Sequence, residues 1–302
     1  MKTVDNLLEL VGNTPVLRLH PFETEGVRLY AKLEGFNPSG SVKDRTALAM
    51  LKAVKASGSL RPGMKIVEAS SGNTGIGLAM VCRLEGFPLT IVMSKKASQE
   101  RIAMLRAYGV ELILTSREGG ADEARRVADE TAIKSPHLYF RLSQHRSREN
   151  VNMHYKWTAG ELLEQVPGPI DAFVAGIGTG GTLMGISRRL RETYSNIRII
   201  GVQPEEILSR QEGLRNVNKS VTPEIFDRKL LDEILEIQDK EAILRTRQLM
   251  ERCGLLYGPS SGAILAGALK LVHDGMKGTI AMIFPDRGEK YLSTSIYQAE
   301  EE

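Results

Sequence analysis

Five short runs in this chain are apolar almost from end to end: "MKIVEA" (64–69), "LTIVM" (89–93), "DAFVAGI" (171–177), "IRIIGVQ" (197–203) and "TIAMIFP" (279–285). A strand with one wet face alternates apolar and polar residues. A strand without that alternation must be covered on both faces, which is the signature of a parallel sheet clothed by helices. The stretches between them supply the helices: 41–58, 74–86, 97–109, 120–135, 182–194, 240–254 and 261–275. "VRLYAKLE" (27–34) and "VELILT" (110–115) read as further strands. The chain is therefore expected to be α/β, built from repeated strand–helix units. The pattern is compatible with one sheet or two. Polar, irregular stretches at 141–150 and 204–230 are expected to be crossovers or site-lining loops.

The remaining composition narrows the function classes. The 302 residues carry 40 basic and 37 acidic side chains, a net charge of +3, with no long block of one sign. That balance offers no footprint for nucleic acid or an anionic membrane. Two cysteines, Cys82 and Cys253, stand far apart with no CxxC and no histidine cluster, so neither a disulfide framework nor a metal site is expected. "MKTVDNLLELVG" is not built like a signal peptide and no apolar run reaches membrane-spanning length, so a cytoplasmic location is expected.

Two glycine-rich turns, "SSGNTG" (70–75) and "GIGTGGT" (176–182), each follow an apolar strand and open a helix. Free backbone N–H groups at a helix start make an anion site, and glycine lets the anion come close. The second turn also matches G-x-G-x-x-G through Gly176, Gly178 and Gly181. A dinucleotide site needs an acid at the tip of the following strand, where this chain has Gln203. Gly178, Thr179, Gly180, Gly181 and Thr182 are instead suited to wrapping a single phosphate, a tight turn without ligand being the plain alternative. The first turn adds side-chain groups from Ser70, Ser71, Asn73 and Thr74 around Gly72. That mixture suits a carboxylate together with a neutral hydroxyl, although any one of these residues could simply cap the helix.

In "NPSGSVKDR" (37–45), Ser41 and Asp44 read as a capping box ahead of an apolar helix, and Lys43 falls in the first turn. A cation there is mildly disfavoured by the helix dipole. The same field assists an amine that must lose its proton to attack a carbonyl, although an exposed first-turn lysine would fit the nine residues as well.

The four stretches "NPSGSVKDR", "SSGNTG", "GIGTGGT" and "GPSSGA" (258–263) occur in this order, within a frame running from "VGNTPVLRL" (11–19) to "DRGEKYLST" (286–294). The arrangement resembles the cysteine synthase family of fold-type II pyridoxal-phosphate enzymes, and "SQERIAMLRAYGVELIL" (98–114) and "GVQPEE" (201–206) look closest to its B branch. The resemblance implies two three-layer α/β/α domains like those of the tryptophan synthase β-subunit: a large one from 1–40 and 146–302, and a small, mobile, substrate-binding one from 41–145, with the cofactor between them. It implies pyridoxal 5'-phosphate held by Lys43 as a Schiff base, Asn73 on the ring hydroxyl, 178–182 on the phosphate and Ser260 at the pyridine nitrogen. It places the substrate carboxylate on Ser70, Ser71, Gly72, Asn73, Thr74 and Gln144. The chain departs from the family pattern at Ser70, where threonine is usual, at "TAGE" (158–161), at Pro259 and around Gln144.

The activity implied is a β-replacement on an O-activated L-serine, through an aminoacrylate, in which a sulfur nucleophile gives L-cysteine. Donors of both kinds, O-acetylserine and O-phosphoserine, occur in the family. Arg215, in "EGLRNV" (212–217), resembles the arginine of the phosphoserine users and is otherwise a surface residue. The siblings cystathionine β-synthase, diaminopropionate-type synthase and cysteine desulfhydrase are the alternative reactions. A nicotinamide oxidoreductase and a cofactor-less regulatory relative are the alternative classes. Small-molecule substrates and a homodimer are implied. His154, Tyr155 and Trp157 could line the cleft but are expected to pack a helix, and Asp286 and Arg287 are expected to form an ion pair.

Overall fold

The computed structural model describes residues 3–298. In chain order the elements are β1 (Val16–Arg18), β2 (Val27–Leu33), α1 (Lys43–Ala56), β3 (Lys65–Ala69), α2 (Asn73–Glu85), β4 (Leu89–Ser94), α3 (Gln99–Ala107), β5 (Glu111–Thr115), α4 (Gly120–Lys134) and β6 (Tyr139–Arg141). Then come α5 (Arg148–Met153), a wide π turn (His154–Thr158), α6 (Ala159–Gln165), β7 (Ala172–Gly176), α7 (Gly181–Thr193), β8 (Arg198–Pro204), β9 (Glu233–Ile237), α8 (Asp239–Cys253), α9 (Pro259–His273) and β10 (Gly278–Phe284). The chain divides into two compact units. One holds the segment up to Val11 and Asn37–Asn150; the other holds Gly12–Phe36 and everything from Val151. The N-terminal segment falls in the first unit, not with the stretch that follows it, because Leu8 is buried in that unit's core.

The first unit is a four-stranded, all-parallel sheet in the order β5-β4-β3-β6. Successive residues of its central strands go to opposite cores. Ile66, Ile91 and Met93 pack with residues of α1, α2 and α3, while Val67, Ala69 and Val92 pack with Ala124 and Ala128 of α4. The second unit is a six-stranded sheet, β1-β2-β10-β7-β8-β9, parallel except for β1 at its edge. Here Val174, Val202 and Met282 face Ala263, Leu265 and Leu249 of α9 and α8, and Phe173, Ile199 and Ala281 face Leu162, Leu183 and Met184 of α6 and α7. Each unit is thus three layers, and the unbroken apolar strands are explained: both faces are dry.

The element boundaries carry one correction with chemical weight. Ser41 and Asp44 do not form a capping box. Helix α1 begins at Lys43 behind an N-cap at Val42, whose side chain cannot cap. Ser41 Oγ accepts only the Lys43 N–H, at 3.3 Å. The Asp44 carboxylate turns back onto the preceding tight turn, accepting the Ser39 N–H at 2.6 Å and the Ser39 hydroxyl. Asp44 therefore braces the turn that presents Lys43 instead of closing a helix end. Within the stretches expected to be loops, Arg141 ends a strand and residues from Arg148 onward are helical.

Both thiols are quiet. Burial pushes Cys82 up to about 12, with Glu85 adding to the effect, and burial also raises the partly buried Cys253. Helices α8 and α9 approach so closely that a Cβ on Gly262 would run into the Ala242 carbonyl and the Thr246 hydroxyl, with Thr246 N 2.6 Å away. Gly262→Ala gains about 1 kcal/mol of helix propensity but loses about 1–3 kcal/mol to overpacking. A net lowering of the denaturant midpoint is the expected outcome, measured by chemical unfolding of the purified variant.

Candidate active site

In the six-stranded sheet, β7 ends at Gly176 and the chain turns through Ile177–Gly180 into α7, on the carboxyl edge where parallel sheets bind ligands. Gly180 caps the helix at φ +93, a left-handed conformation that glycine adopts without strain. Gly178 lies against a second loop so closely that a Cβ there would overlap the Gly213 carbonyl oxygen. That loop is tied down beside it: Arg215 N–H donates to the Ile177 carbonyl at 2.8 Å. The result is a cradle of small residues whose helix-start N–H groups suit an anion.

One contact of this site, from His154 to Thr182, is not visible in the sequence. His154, fully buried, bridges two threonine hydroxyls: its Nδ1 is 2.9 Å from Thr158 Oγ1 and its Nε2 3.1 Å from Thr182 Oγ1. It sits in the π turn between α5 and α6, a geometry that often marks a functional position. His154 holds the hydroxyl of Thr182 at the opening of α7. Tyr155 and Trp157 point away from the core: the Tyr155 hydroxyl donates to Glu192 at 2.6 Å, and Trp157 is exposed. No local pattern in "MHYKW" separates the inward histidine from its outward neighbours.

Ser260 lies in the first turn of α9, which starts two residues earlier than its apolar run suggested because Pro259 is well placed to open a helix. Its side chain is 2% exposed and makes no hydrogen bond to any described residue. A nearly buried hydroxyl left unsatisfied by protein suits a polar atom of a ligand. Gln203, where a dinucleotide site would carry an acid, is spent on structure: its amide donates to Glu236 at 2.9 Å and to Asn216 at 3.2 Å, and its carbonyl accepts from Val217 N at 3.0 Å. The dinucleotide reading is thereby closed. Asp286 and Arg287 do not pair with each other. Asp286 accepts the Tyr291 hydroxyl at 2.7 Å and Arg287 reaches Glu289 at 3.5 Å.

In the four-stranded unit, β3 ends at Ala69 and the polar turn leads into α2 at Asn73. Gly72 stands at the N-cap, and Ser70 supports it from two residues upstream: its Oγ accepts the Gly75 N–H at 3.0 Å and the Gly72 N–H at 3.3 Å. Ser71 is exposed, and Asn73 is half-buried at the first helical position. Thr74 donates its hydroxyl to Gln144 Oε1 at 2.7 Å, so the loop carrying Gln144 comes to the same turn. Lys43, half-buried, heads α1, and the two helices pack tightly enough that a Cβ on Gly77 would come within 3.1 Å of the Lys43 carbonyl. The structure thus groups Lys43, the 70–75 turn and Gln144 in one unit, and the 178–182 cradle, Arg215 and Ser260 in the other.

Comparison with known proteins agrees with this inventory. A family model described as pyridoxal-phosphate dependent enzyme matches residues 7–286. The chain is 40% identical to a cysteine synthase of Aquifex aeolicus over 98% of its own length and 93% of that protein's. It is likewise 40% identical to cysteine synthase B of Escherichia coli, covering 98% and 97%. The crystal structure of an Entamoeba histolytica cysteine synthase superposes with a TM-score of 0.93 at 34% identity, covering 100% of this chain and 93% of that one.

The residues present fit pyridoxal phosphate: a glycine cradle for its phosphate, a first-turn lysine for its carbonyl, and an unpartnered hydroxyl for a ring atom. Gly178→Ala, which forces the cradle away from the Gly213 carbonyl, is expected to weaken cofactor retention by about tenfold or more. Cofactor absorbance after exhaustive dialysis measures it, with circular dichroism checking the fold. A family model spanning most of the chain, together with 40% identity to named cysteine synthases over nearly its full length, makes this chain a member of the cysteine synthase family of pyridoxal-phosphate-dependent enzymes.

Proposed function

We propose that this enzyme replaces the β-substituent of an O-activated L-serine with a sulfur nucleophile, giving L-cysteine. The observation that carries the reading is that Lys43, Asn73, the 178–182 cradle and Ser260 all stand intact in a chain 40% identical to cysteine synthases. Pyridoxal phosphate, when bound, supplies the electron sink for the pair left behind as the α-C–H bond breaks. The protein's part is positioning and proton transfer. Gly178–Thr182 bind the phosphate, with Thr182 steadied by His154. Asn73 would take the ring hydroxyl and Ser260 the ring nitrogen, where a neutral hydroxyl would supply no charge to hold a proton on that nitrogen.

Lys43 Nζ is the amine that would hold the cofactor's carbonyl carbon, and when free it would serve as the base for the substrate α-proton. The β-oxygen substituent leaves with its bonding electrons, the sulfur nucleophile adds at the β-carbon, and Nζ returns a proton to the α-carbon. The field at the start of α1 favours the neutral amine this needs. The substrate carboxylate is taken by Thr74, Gln144 and the N–H groups at the start of α2.

O-acetyl-L-serine is the donor we favour. O-phospho-L-serine is the second reading, on the strength of Arg215. Its guanidinium Nη1 donates to the Val221 carbonyl at 2.9 Å, which holds it in the loop braced against the phosphate cradle. A guanidinium fixed there can receive a phosphate through two parallel hydrogen bonds. We take the working enzyme to be a cytoplasmic homodimer.

Purified protein is expected to be yellow, with borohydride fixing the chromophore at Lys43. Lys43→Ala is expected to lose about a thousandfold or more in turnover with sulfide while still binding the cofactor. Colourless protein that cannot be reconstituted contradicts the reading. For the donor, Arg215→Ala is expected to leave O-acetylserine turnover within about threefold; a loss of about tenfold or more confined to O-phosphoserine selects the second reading.

A further inference from the structure

The carboxylate-binding turn and Gln144 stand on a buried acidic group that the chemistry above does not use. Glu68 lies in β3, two residues before Ser70, and is fully buried. One carboxylate oxygen accepts the N–H of Ala69 at 3.0 Å. The other accepts the N–H of Ser143 at 2.8 Å. The Arg141 guanidinium lies against Glu68 as an ion pair and donates through Nε to Asp129 at 2.8 Å. One side chain thus ties the end of the strand that carries the turn to the corner that carries Gln144.

That corner is held in an unusual shape. Ser143 has φ +56, a left-handed conformation that residues other than glycine seldom adopt. Its amide is the one Glu68 accepts. The next residue, Gln144, is fixed at both ends: its side chain takes the Thr74 hydroxyl at 2.7 Å, and its backbone carbonyl accepts from Asn150 Nδ2 at 2.9 Å. Asn150 in turn accepts the hydroxyl of Thr46, one turn beyond Lys43 in α1, at 3.0 Å. A strained corner persists only where its surroundings impose it, and such corners gather at ligand clamps.

We infer that Glu68 is a positioning residue for substrate binding: by capturing the Ser143 amide it imposes the left-handed corner that aims Gln144 at the 70–75 turn, and so sets the carboxylate site. The inference rests on the reading of Gln144 and the turn as that site. The charge matters as well as the shape. An ionised carboxylate can accept both amides and face Arg141 at once. A neutral glutamine amide has one acceptor oxygen, so it must give up one amide or turn its N–H₂ toward another donor.

The test uses the cofactor-loaded enzyme with O-acetyl-L-serine and sulfide. Glu68→Gln is expected to raise the KM for O-acetylserine by about tenfold while kcat falls by less than about threefold. The substrate-induced change in the cofactor spectrum should shift to correspondingly higher concentration. Adding Ser143→Gly, which adopts the corner without help, should recover most of that loss; a purely structural role for Glu68 predicts no recovery. Gln144→Ala is measured alongside. If Gln144→Ala raises KM but folded, loaded Glu68→Gln stays within about twofold of the parent, the positioning role is overturned and the carboxylate site stands. If Gln144→Ala leaves KM unchanged, the site itself is wrong and the positioning role falls with it. Should Glu68→Gln not accumulate as folded protein, Arg141→Lys takes its place: a KM rise of about threefold or more supports the role, and an unchanged KM overturns it.

Discussion

A parallel strand buried on both faces can satisfy its backbone only through its neighbours, and its chain can return to the next strand only through a covering helix. Most of this molecule follows from that constraint. It forces helices onto both faces of each sheet, and it starts several of them just after the carboxyl end of a strand. Helices α2 and α7 therefore open at the same kind of edge in their respective units, where the N–H groups of a first turn have no acceptor within their own helix. The architecture supplies anion sites as a by-product of covering its strands. At two of those turns, 70–75 and 176–182, the sequence places glycine and hydroxyl residues.

Legibility in the sequence followed burial. The central strands β3, β4, β7, β8 and β10 were readable because two dry faces leave each a nearly unbroken apolar run. The edge strands β1 and β6 were not: each has three residues, too few to show a period, and half-exposed side chains. β9 sets its two glutamates three apart in "EILEI", which breaks the alternation a strand would show. Whether there was one sheet or two could not be read at all, because a helix pattern does not say which strand its chain returns to.

The site divides in the same way. Groups offered by backbone geometry, such as the two glycine turns, leave a signature of residue types at fixed offsets. Groups brought in by packing leave none. His154 reaches Thr182 across 28 positions, and Glu68 reaches Ser143 across 75. Only the fold makes them neighbours. The Ser41–Asp44 capping box shows the opposite error: a correct local pattern for which tertiary structure found another use, since Asp44 is more valuable holding Ser39 than closing a helix.

The quiet thiols have a meaning once the proposed reaction is considered. A thiol with a pKa of about 12 is ionised to roughly one part in 10⁵ at neutral pH. Only the thiolate exchanges with disulfides or is readily oxidised. An enzyme that passes sulfur to a serine skeleton works amid sulfide and its own cysteine product, which an oxidant such as dioxygen converts to polysulfides and disulfides that exchange with an accessible thiolate. By sinking Cys82 into the helix-packed core of its smaller sheet, this chain withholds that sulfur from the traffic it conducts. The apolar packing that stabilises the unit thereby also shields the Cys82 sulfur.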